Sequence, residues 1–291
     1  DFAAALSASS SGRSLLAVAG APKCGITFHY MEYNTVGGQN EATNATGGIM
    51  VPTGTDAACS GPRPVLLYSH GTTVEKGFNM ASPSTSEAGL VAAMYAAQGW
   101  IVVTSNYAGY DASRLSYHPY LNGEQQSNDM IDALRAARKA FPKIGASDSG
   151  KLFLSGYSQG GYVSMATHKA MQNNYASEFK VTASGNMSGP YSLVKTFQTV
   201  FAGGVNAGGT VFTPMILTSW QKAYANIYTS PSDVYEAAYA TGIETLLPGT
   251  LTFNQLFTTG KLPTKLFASG ALVTGDPSLD ALFAAGVGTP N

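Results

Sequence analysis

The strongest constraint on the fold is an alternation of apolar runs and helical stretches between residues 64 and 183. Residues 64–69 and 100–104 are almost uniformly apolar, which is typical of strands buried on both faces of a parallel sheet. Residues 127–141 place apolar side chains at helical spacing and are followed by a proline. A third apolar run covers residues 151–154. Strands that alternate with helices in this way predict a mostly parallel α/β sheet.

A glycine-rich turn lies between a predicted strand and a predicted helix. Residues 156–161 read GYSQGG and fit the G-x-S-x-G pattern of a nucleophile elbow. The strand over residues 151–154 leads into this turn, and a helix predicted over residues 161–173 follows it. Glycines two positions before and after the serine let strand and helix approach closely. The alternative is an ordinary βα turn with an incidental serine, but the flanking elements favour Ser158 as a nucleophile.

The strand at residues 64–69 ends in a loop that fits the other half of such a site. His70 and Gly71 follow the strand directly, and an apolar strand followed by His-Gly is one form of the loop that supplies an oxyanion donor. We expect the backbone N–H groups of Thr72 and Gln159 to stabilise a developing oxyanion. His70 itself is interpreted as a structural residue that fixes the loop by hydrogen bonds.

Composition and charge exclude several classes of function. Lys and Arg number 16 against 17 Asp and Glu, and no basic cluster stands out, so nucleic acid is not expected as a partner. No apolar run approaches the roughly 18 residues of a membrane span. The sequence shows no Cys/His metal spacing, phosphate loop or dinucleotide motif, and no metal or other cofactor is predicted. Charged residues make up only 11%, which indicates the uncharged polar surface of a secreted protein, extracellular or periplasmic.

The two cysteines flank the first two predicted strands. Residues 25–33 alternate apolar and polar side chains, and residues 49–51 are apolar, so both are interpreted as strands. An antiparallel hairpin of these strands would bring Cys24 and Cys59 together. We therefore predict a disulfide formed in an oxidising compartment, with two unrelated buried thiols as the alternative. Residues 1–22, before the hairpin, are expected to form a loosely ordered lead-in.

The pattern changes after residue 190. Residues 191–291 hold helical pieces separated by Gly and Pro, without a convincing buried strand. We interpret residues 1–190 as the core domain and residues 191–291 as a helical cap, or lid. Aromatic residues of the cap could line an apolar pocket; they are Tyr191, Phe197, Phe201, Phe212, Tyr224, Tyr228, Phe253, Phe257 and Phe267.

Five features within residues 24–190 together resemble the secreted α/β-hydrolase esterases and lipases, including capped secretory lipases and polyester-degrading relatives. They are the strand with its His-Gly loop, residues 107–110 (YAGY), residues 118–120 (HPY), the helix around residues 133–138 and the elbow. The resemblance implies an α/β-hydrolase fold and a carboxylic ester hydrolase without a cofactor. It implies that Ser158 forms an acyl-enzyme with an ester substrate that has an apolar acyl chain, which includes polyesters.

The sequence departs from this family in its histidines. In the α/β-hydrolase fold the triad follows the order serine, acid, histidine along the chain. The four histidines are His29, His70, His118 and His168; three precede Ser158, and His168 lies on the helix that leads away from it. His118, which precedes a proline, is interpreted as a packing or capping residue. The final strands of the sheet, which carry the acid and the base in this family, are therefore expected to be missing from this sequence.

Three explanations for the absent base remain open. The protein is a cleaved enzyme whose triad Asp and His lie on a second polypeptide, the sequence is truncated, or the chain is a catalytically incomplete binding module on a hydrolase scaffold. We favour the first two, because a sheet without its last strands would expose an apolar edge. Asp276 follows a short apolar run and is a candidate triad acid, although such a run also fits a cap segment. A serine peptidase is a further alternative, because the same triad cleaves amides.

Overall fold

The computed structural model describes residues 10–201 and 209–262, together with Ala8. Six strands form one sheet in the order β1-β2-β4-β3-β5-β6. Strands β3, β4, β5 and β6 pair in parallel, whereas β2 is antiparallel to both β1 and β4. The prediction of a mostly parallel α/β sheet is confirmed. The strands are β1 (Gly25–Val36), β2 (Ala42–Thr53), β3 (Arg63–Ser69), β4 (Ile101–Ser105), β5 (Asp148–Tyr157) and β6 (Val181–Met187).

Helices connect the parallel strands and continue after the sheet. They are α1 (Ser10–Ala19), α2 (Ser86–Met94), α3 (Gly123–Ala140), α4 (Gln159–Asn174), α5 (Leu193–Phe201), α6 (Gly209–Tyr224), α7 (Ala237–Ala240), α8 (Ile243–Leu246) and α9 (Phe253–Thr258). Helix α3 begins one turn before the predicted start at residue 127, because the Asn122 side chain accepts a hydrogen bond from the Gln125 N–H and caps it.

The segment before the sheet contains a helix, which corrects the expectation of a loosely ordered lead-in for residues 10–19. Helix α1 packs against α2, and its Leu15, Leu16 and Ala19 are partly buried. Gly20 ends the helix with a positive φ of 80°, and its N–H donates to the Leu16 carbonyl. The apolar stretch that follows Arg13 therefore covers the neighbouring helix.

The centre of the sheet is buried on both faces, as the uniformly apolar runs predicted. Val65 and Leu67 of β3 and Ile101 and Val103 of β4 are all at most 1% exposed. Helices α3 and α4 cover the sheet and pack against each other. Strand β6 lies at the edge of the described sheet, where most of its residues are exposed or half-buried. The central strands thus lie within the core, whereas β6 is partly open to solvent.

The predicted disulfide between Cys24 and Cys59 is present, with 5.5 Å between the two Cα atoms. The register of the β1–β2 hairpin explains the pairing, because Gly25 lies opposite Thr53. The chain therefore enters β1 and leaves β2 at the same end of the hairpin. Both cysteines are buried.

Beyond residue 190 the regular elements of the described residues are all helical. Phe197 of α5 contacts Trp220 of α6, with 5.5 Å between ring centroids, and both side chains join the main core. Gly249 forms backbone hydrogen bonds with Val74 and Lys76, each 2.8 Å long. This region is therefore attached to the loop that follows β3. None of the described helices combines the length and apolar character that crossing a membrane requires.

Candidate active site

Ser158 occupies the sharp turn between β5 and α4. Its backbone has φ 56° and ψ −121°, a conformation that residues other than glycine rarely adopt and that costs roughly 1–3 kcal/mol. The Ser158 N–H donates to the Met187 carbonyl at 3.0 Å, so a bond from the end of β6 holds the turn. The Ser158 side chain is partly exposed, although the residues that follow it are buried.

The glycines around Ser158 are required because three backbone segments meet there. A Cβ atom on Gly156 would overlap the Gly160 carbonyl, and one on Gly160 would overlap the Ser69 carbonyl. A Cβ atom on Gly161 would overlap the Met187 carbonyl. Strand β5, helix α4 and the end of β3 can therefore approach only without side chains at these positions. This close approach places the end of β3 directly beside the turn.

His70 holds the loop after β3 from within the core. Its ring is fully buried and stacks on Tyr107 at 4.1 Å between centroids. Nδ1 lies 2.6 Å from the Gly71 carbonyl oxygen, and Nε2 lies 3.3 Å from that of Asn106. Burial lowers the pKa of His70, which favours the neutral ring. These contacts agree with the predicted structural role.

Gly71, the residue before Thr72, lies against the turn on the side of Tyr157. A Cβ atom on Gly71 would lie 3.5 Å from the Tyr157 carbonyl oxygen, which is ordinary contact distance. The Gly71 N–H donates to a Glu87 carboxylate oxygen at 2.9 Å. The hydroxyl of Thr72 is 2.8 Å from that of Tyr120. The loop is thus fixed at Gly71 and at Thr72 itself, the residue whose N–H was expected to be an oxyanion donor.

His118 contacts the residue that follows the nucleophile, which sequence analysis did not anticipate. Its Nε2 lies 2.7 Å from the side-chain Nε2 of Gln159, and its Nδ1 lies 2.9 Å from the Ala108 carbonyl oxygen. Burial lowers the pKa of His118 to about 3, so the ring is neutral at ordinary pH. Nδ1 therefore carries the proton and donates to Ala108, and Nε2 accepts from the amide. A histidine far from the serine in sequence gives no local signal of this contact.

Asp129 anchors the loop that presents the Ala108 carbonyl. Its carboxylate accepts hydrogen bonds from the Tyr33 hydroxyl at 2.5 Å and from the Ala108 N–H at 2.6 Å. A third bond comes from the Ser105 hydroxyl at 3.2 Å. Full burial raises the pKa of Asp129 to about 6, although these hydrogen bonds act in the opposite direction. The carboxylate connects β1, the end of β4 and α3 behind the site.

Comparison with known proteins identifies the family. The sequence profile of the secretory lipase family matches residues 79–240. The rice cell wall degrading esterase LipA from Xanthomonas oryzae has 31% sequence identity and a TM-score of 0.80, over 99% of this chain and 73% of that one. The chain belongs to the secretory lipase family. As a member of that family it is a carboxylic ester hydrolase, and the resemblance inferred from the sequence is confirmed.

Two further structures share the fold of this secretory lipase. A putative hydrolase from Legionella pneumophila has 22% identity and a TM-score of 0.75, over 89% of this chain and 69% of that one. Candida antarctica lipase A has 18% identity and a TM-score of 0.61, over 91% of this chain and 58% of that one. Both support the α/β-hydrolase fold alone. No curated protein sequence matches the chain.

None of the four histidines of this lipase is hydrogen-bonded to the Ser158 hydroxyl within the described part of the chain. His70 and His118 are fully engaged in the core, as described above. His168 faces β6, where its Nδ1 is 3.0 Å from the Ser184 hydroxyl, and His29 lies on β1. The candidate acid Asp276 lies outside the described residues. The structure thus places Ser158 and Gln159 in the turn, with the loop that holds Thr72 touching it through Gly71, and leaves the base and acid unassigned.

The aromatic residues that were expected to line a pocket have different environments in this lipase. Phe197 and Tyr228 are buried in the core, whereas Tyr224, Phe253 and Phe257 are between 36% and 38% exposed. Tyr191 donates its hydroxyl to the Asn186 carbonyl at 2.8 Å, near the end of β6. Phe267 and the side chain of Phe201 lie outside the described residues. Within the described chain, no group of three potential metal ligands is present.

Proposed function

We propose that the enzyme hydrolyses carboxylic esters through an acyl-enzyme intermediate on Ser158. The observation that carries the proposal is the strained backbone of Ser158 at a turn between a buried strand and a helix. Strain of this kind persists where the surrounding structure enforces it, and it clusters at active sites. The turn exposes the hydroxyl in front of the amino end of α4, where the helix dipole favours negative charge. Ser158 would attack the ester carbonyl, and water would later release the acyl group.

The backbone N–H groups of Gln159 and Thr72 are proposed to stabilise the oxyanion of this reaction. Gln159 is the first residue of α4, and the first N–H groups of a helix have no partner within the helix. Thr72 lies on the loop that touches the turn through Gly71. Removing one such donor typically costs a factor of roughly 10²–10³ in kcat, so two donors account for a large part of the expected rate enhancement.

The general base is proposed to be a histidine that these 291 residues do not carry. This follows from the positions of the four histidines. His70 and His118 are buried in the core. His168 faces β6, and His29 lies on β1. The comparisons give no support for a second polypeptide as the source of the base. The triad acid is likewise unassigned, and Asp276 remains a candidate.

The substrate is proposed to be an ester with an apolar acyl chain, which includes polyesters and, by similarity to the Xanthomonas oryzae esterase, esters of plant cell walls. Residues 191–291 are proposed to form a cap over the site. Partly exposed aromatic side chains in that region, including Phe253 and Phe257, support an apolar pocket. The family and the disulfide support secretion to an extracellular or periplasmic compartment.

Mass spectrometry of the purified enzyme before and after a fluorophosphonate tests the nucleophile. We expect one phosphonyl adduct, located on Ser158, and loss of both adduct and esterase activity in Ser158→Ala. Ser155→Ala, three residues earlier on β5, is a matched control that should keep the adduct. Activity that survives Ser158→Ala, or an adduct on another serine, would refute the proposal. The intact masses also show whether a second polypeptide co-purifies.

A series of p-nitrophenyl esters of increasing chain length tests the substrate class. An apolar pocket should raise kcat/KM from acetate to medium-chain esters, because each buried CH₂ contributes about 0.8 kcal/mol. The matching p-nitroanilides serve as amide controls and should react far more slowly. A preference for acetate would argue against a large apolar pocket, and comparable anilide cleavage would favour a peptidase.

A further inference from the structure

One short segment contacts both residues that are proposed to hold the oxyanion. His118 lies 2.7 Å from the Gln159 amide, and the hydroxyl of Tyr120 lies 2.8 Å from that of Thr72. Gln159 begins α4, whereas Thr72 belongs to the loop after β3. The start of α4 and the loop after β3 are therefore both hydrogen-bonded to the segment that contains His118 and Tyr120.

We propose that His118 and Tyr120 are positioning residues that set the separation and direction of the two oxyanion donors. The inference rests on the proposed function, because it takes the N–H groups of Gln159 and Thr72 as those donors. An oxyanion hole works only when its donors lie within about 2.7–3.1 Å of the oxyanion. Displacement of one donor by about 1 Å can cost a factor of roughly 10² in rate.

The His118 side chain, which contacts Gln159, is held in a fixed position. Its Nδ1 donates to the Ala108 carbonyl at 2.9 Å, and its ring packs against Tyr110 at 4.7 Å between centroids. The Gln159 side chain is 1% exposed, and its Oε1 has no hydrogen-bond partner among the described residues. The bond to His118 is thus the polar contact that fixes the Gln159 side chain, and through it the start of α4.

The Tyr120 side chain, which contacts Thr72, is held by the same segment as His118. The Tyr120 N–H donates to the His118 carbonyl at 2.7 Å, which couples the two positions through the backbone. The Tyr120 ring is 4% exposed and belongs to the main core. Its hydroxyl therefore has a fixed position, and Thr72 is only partly buried. Tyr120 is the more deeply buried residue of the pair, so its hydroxyl restrains the position of Thr72.

A purely structural role would lower stability without a specific loss of kcat, and a double-mutant cycle separates the two. Tyr120→Phe and Thr72→Val each remove one hydroxyl of the pair and keep the Thr72 backbone N–H. We expect each single variant to lower kcat about tenfold with KM within about twofold. The double variant should be no slower than either single variant, because both remove the same contact.

Tyr117→Phe is the matched control for this cycle. Tyr117 is also a buried tyrosine of this segment, but its hydroxyl contacts Gly38 and Glu41 at the β1–β2 turn. This control should keep kcat within about twofold. Additive effects in the cycle, losses confined to KM, or an equal loss of kcat in Tyr117→Phe would each overturn the proposal.

Two substitutions of His118 test its contact with Gln159. His118→Gln can keep an acceptor for the Gln159 amide, whereas His118→Asn can keep only the donor to the Ala108 carbonyl. We expect about a tenfold loss of kcat in the Asn variant and substantial recovery in the Gln variant. Equal kcat values in the two folded variants would overturn the role of His118. If either variant fails to fold, the Tyr120–Thr72 cycle decides the proposal.

Failure of this inference can be distinguished from failure of the proposed function. Activity that survives Ser158→Ala refutes the nucleophile, and with it the oxyanion hole. Activity that requires Ser158 but is unchanged by Tyr120→Phe refutes the positioning role alone. Both measurements use the same ester assay on the natural enzyme together with its general base, so the two outcomes can be compared directly.

Discussion

At the scale of single residues, burial shifts the pKa of two titratable side chains beside the site, His118 and Asp129, towards their uncharged forms. Burial lowers the pKa of His118 to about 3 and raises that of Asp129 to about 6. A neutral His118 can accept a hydrogen bond from Gln159, which a protonated ring could not do. Burial therefore determines the direction of the hydrogen bonds that support the proposed oxyanion hole.

The raised pKa of Asp129 predicts a specific dependence of stability on pH. The folded protein keeps the Asp129 proton up to about pH 6, whereas an unfolded chain releases it near pH 4. The free energy of unfolding should therefore fall as pH rises through this window, by about 3 kcal/mol from this group. Asp129→Asn should be less stable than the wild type at pH 4, and this deficit should shrink towards pH 7.

Urea unfolding between pH 4 and pH 7 measures this difference. Asp132→Asn is a suitable control, because Asp132 lies one turn further along α3 in a solvent-accessible ion pair with Arg135. Both variants are measured together, so that a pH dependence common to the two is not assigned to Asp129. A deficit of Asp129→Asn that grows with pH would show that the folded protein prefers the charged carboxylate, contrary to the burial argument.

At the scale of elements, the site depends on how closely β3, β5 and α4 approach one another. Ser69 at the end of β3 pairs with Gly156 on β5, and the first turn of α4 rests on the Ser69 carbonyl at Gly160. The glycines remove side chains from this junction, and the strained serine closes it. The geometry of the turn thus results from the close packing of the strands and the helix. The glycines of the motif are required because any side chain at their positions would prevent that packing.

Gly160→Ala should disrupt this junction. The added methyl group would overlap the Ser69 carbonyl, so α4 must move away from β3 at a cost of at least about 1–3 kcal/mol in stability. The same movement displaces the Gln159 N–H, so we expect a loss of kcat of at least about 100-fold. Gly77→Ala, at a position with open space around it, should leave both unchanged. Thermal unfolding and ester kinetics on both variants check this, and an unaltered Gly160→Ala enzyme would contradict it.

At the scale of the whole molecule, the parallel order of the central strands gathers the site. Because β3 and β5 are neighbours, the loop containing Thr72 and the turn containing Ser158 emerge at the same edge, where ligands of α/β proteins commonly bind. The helical region beyond residue 190 joins this edge through the backbone bonds of Gly249 to Val74 and Lys76. The region proposed as a cap is therefore attached directly beside the proposed oxyanion loop.

Much of the fold could be predicted because it follows from local patterns. Uniformly apolar runs specify strands buried on both faces, and the strand–GYSQGG–helix order specifies the elbow around Ser158. The pairing of Cys24 with Cys59 followed from a hairpin of two neighbouring strands. For the apolar stretch after Arg13 the sequence left a short helix and coil as alternatives, because a helix this short is ordered by its contact with α2 and not by its own residues.

The sequence by itself determined the sheet, the nucleophile turn and the loop with the proposed oxyanion donor, since each is encoded by residues that are contiguous in the chain. Only the tertiary structure decided how His118, Tyr120 and Asp129 act. The partners described above lie between 10 and 96 positions away, and no periodicity or motif records these contacts. The charge states of His118 and Asp129 depend on burial in the folded core, which exists only after the strands have assembled.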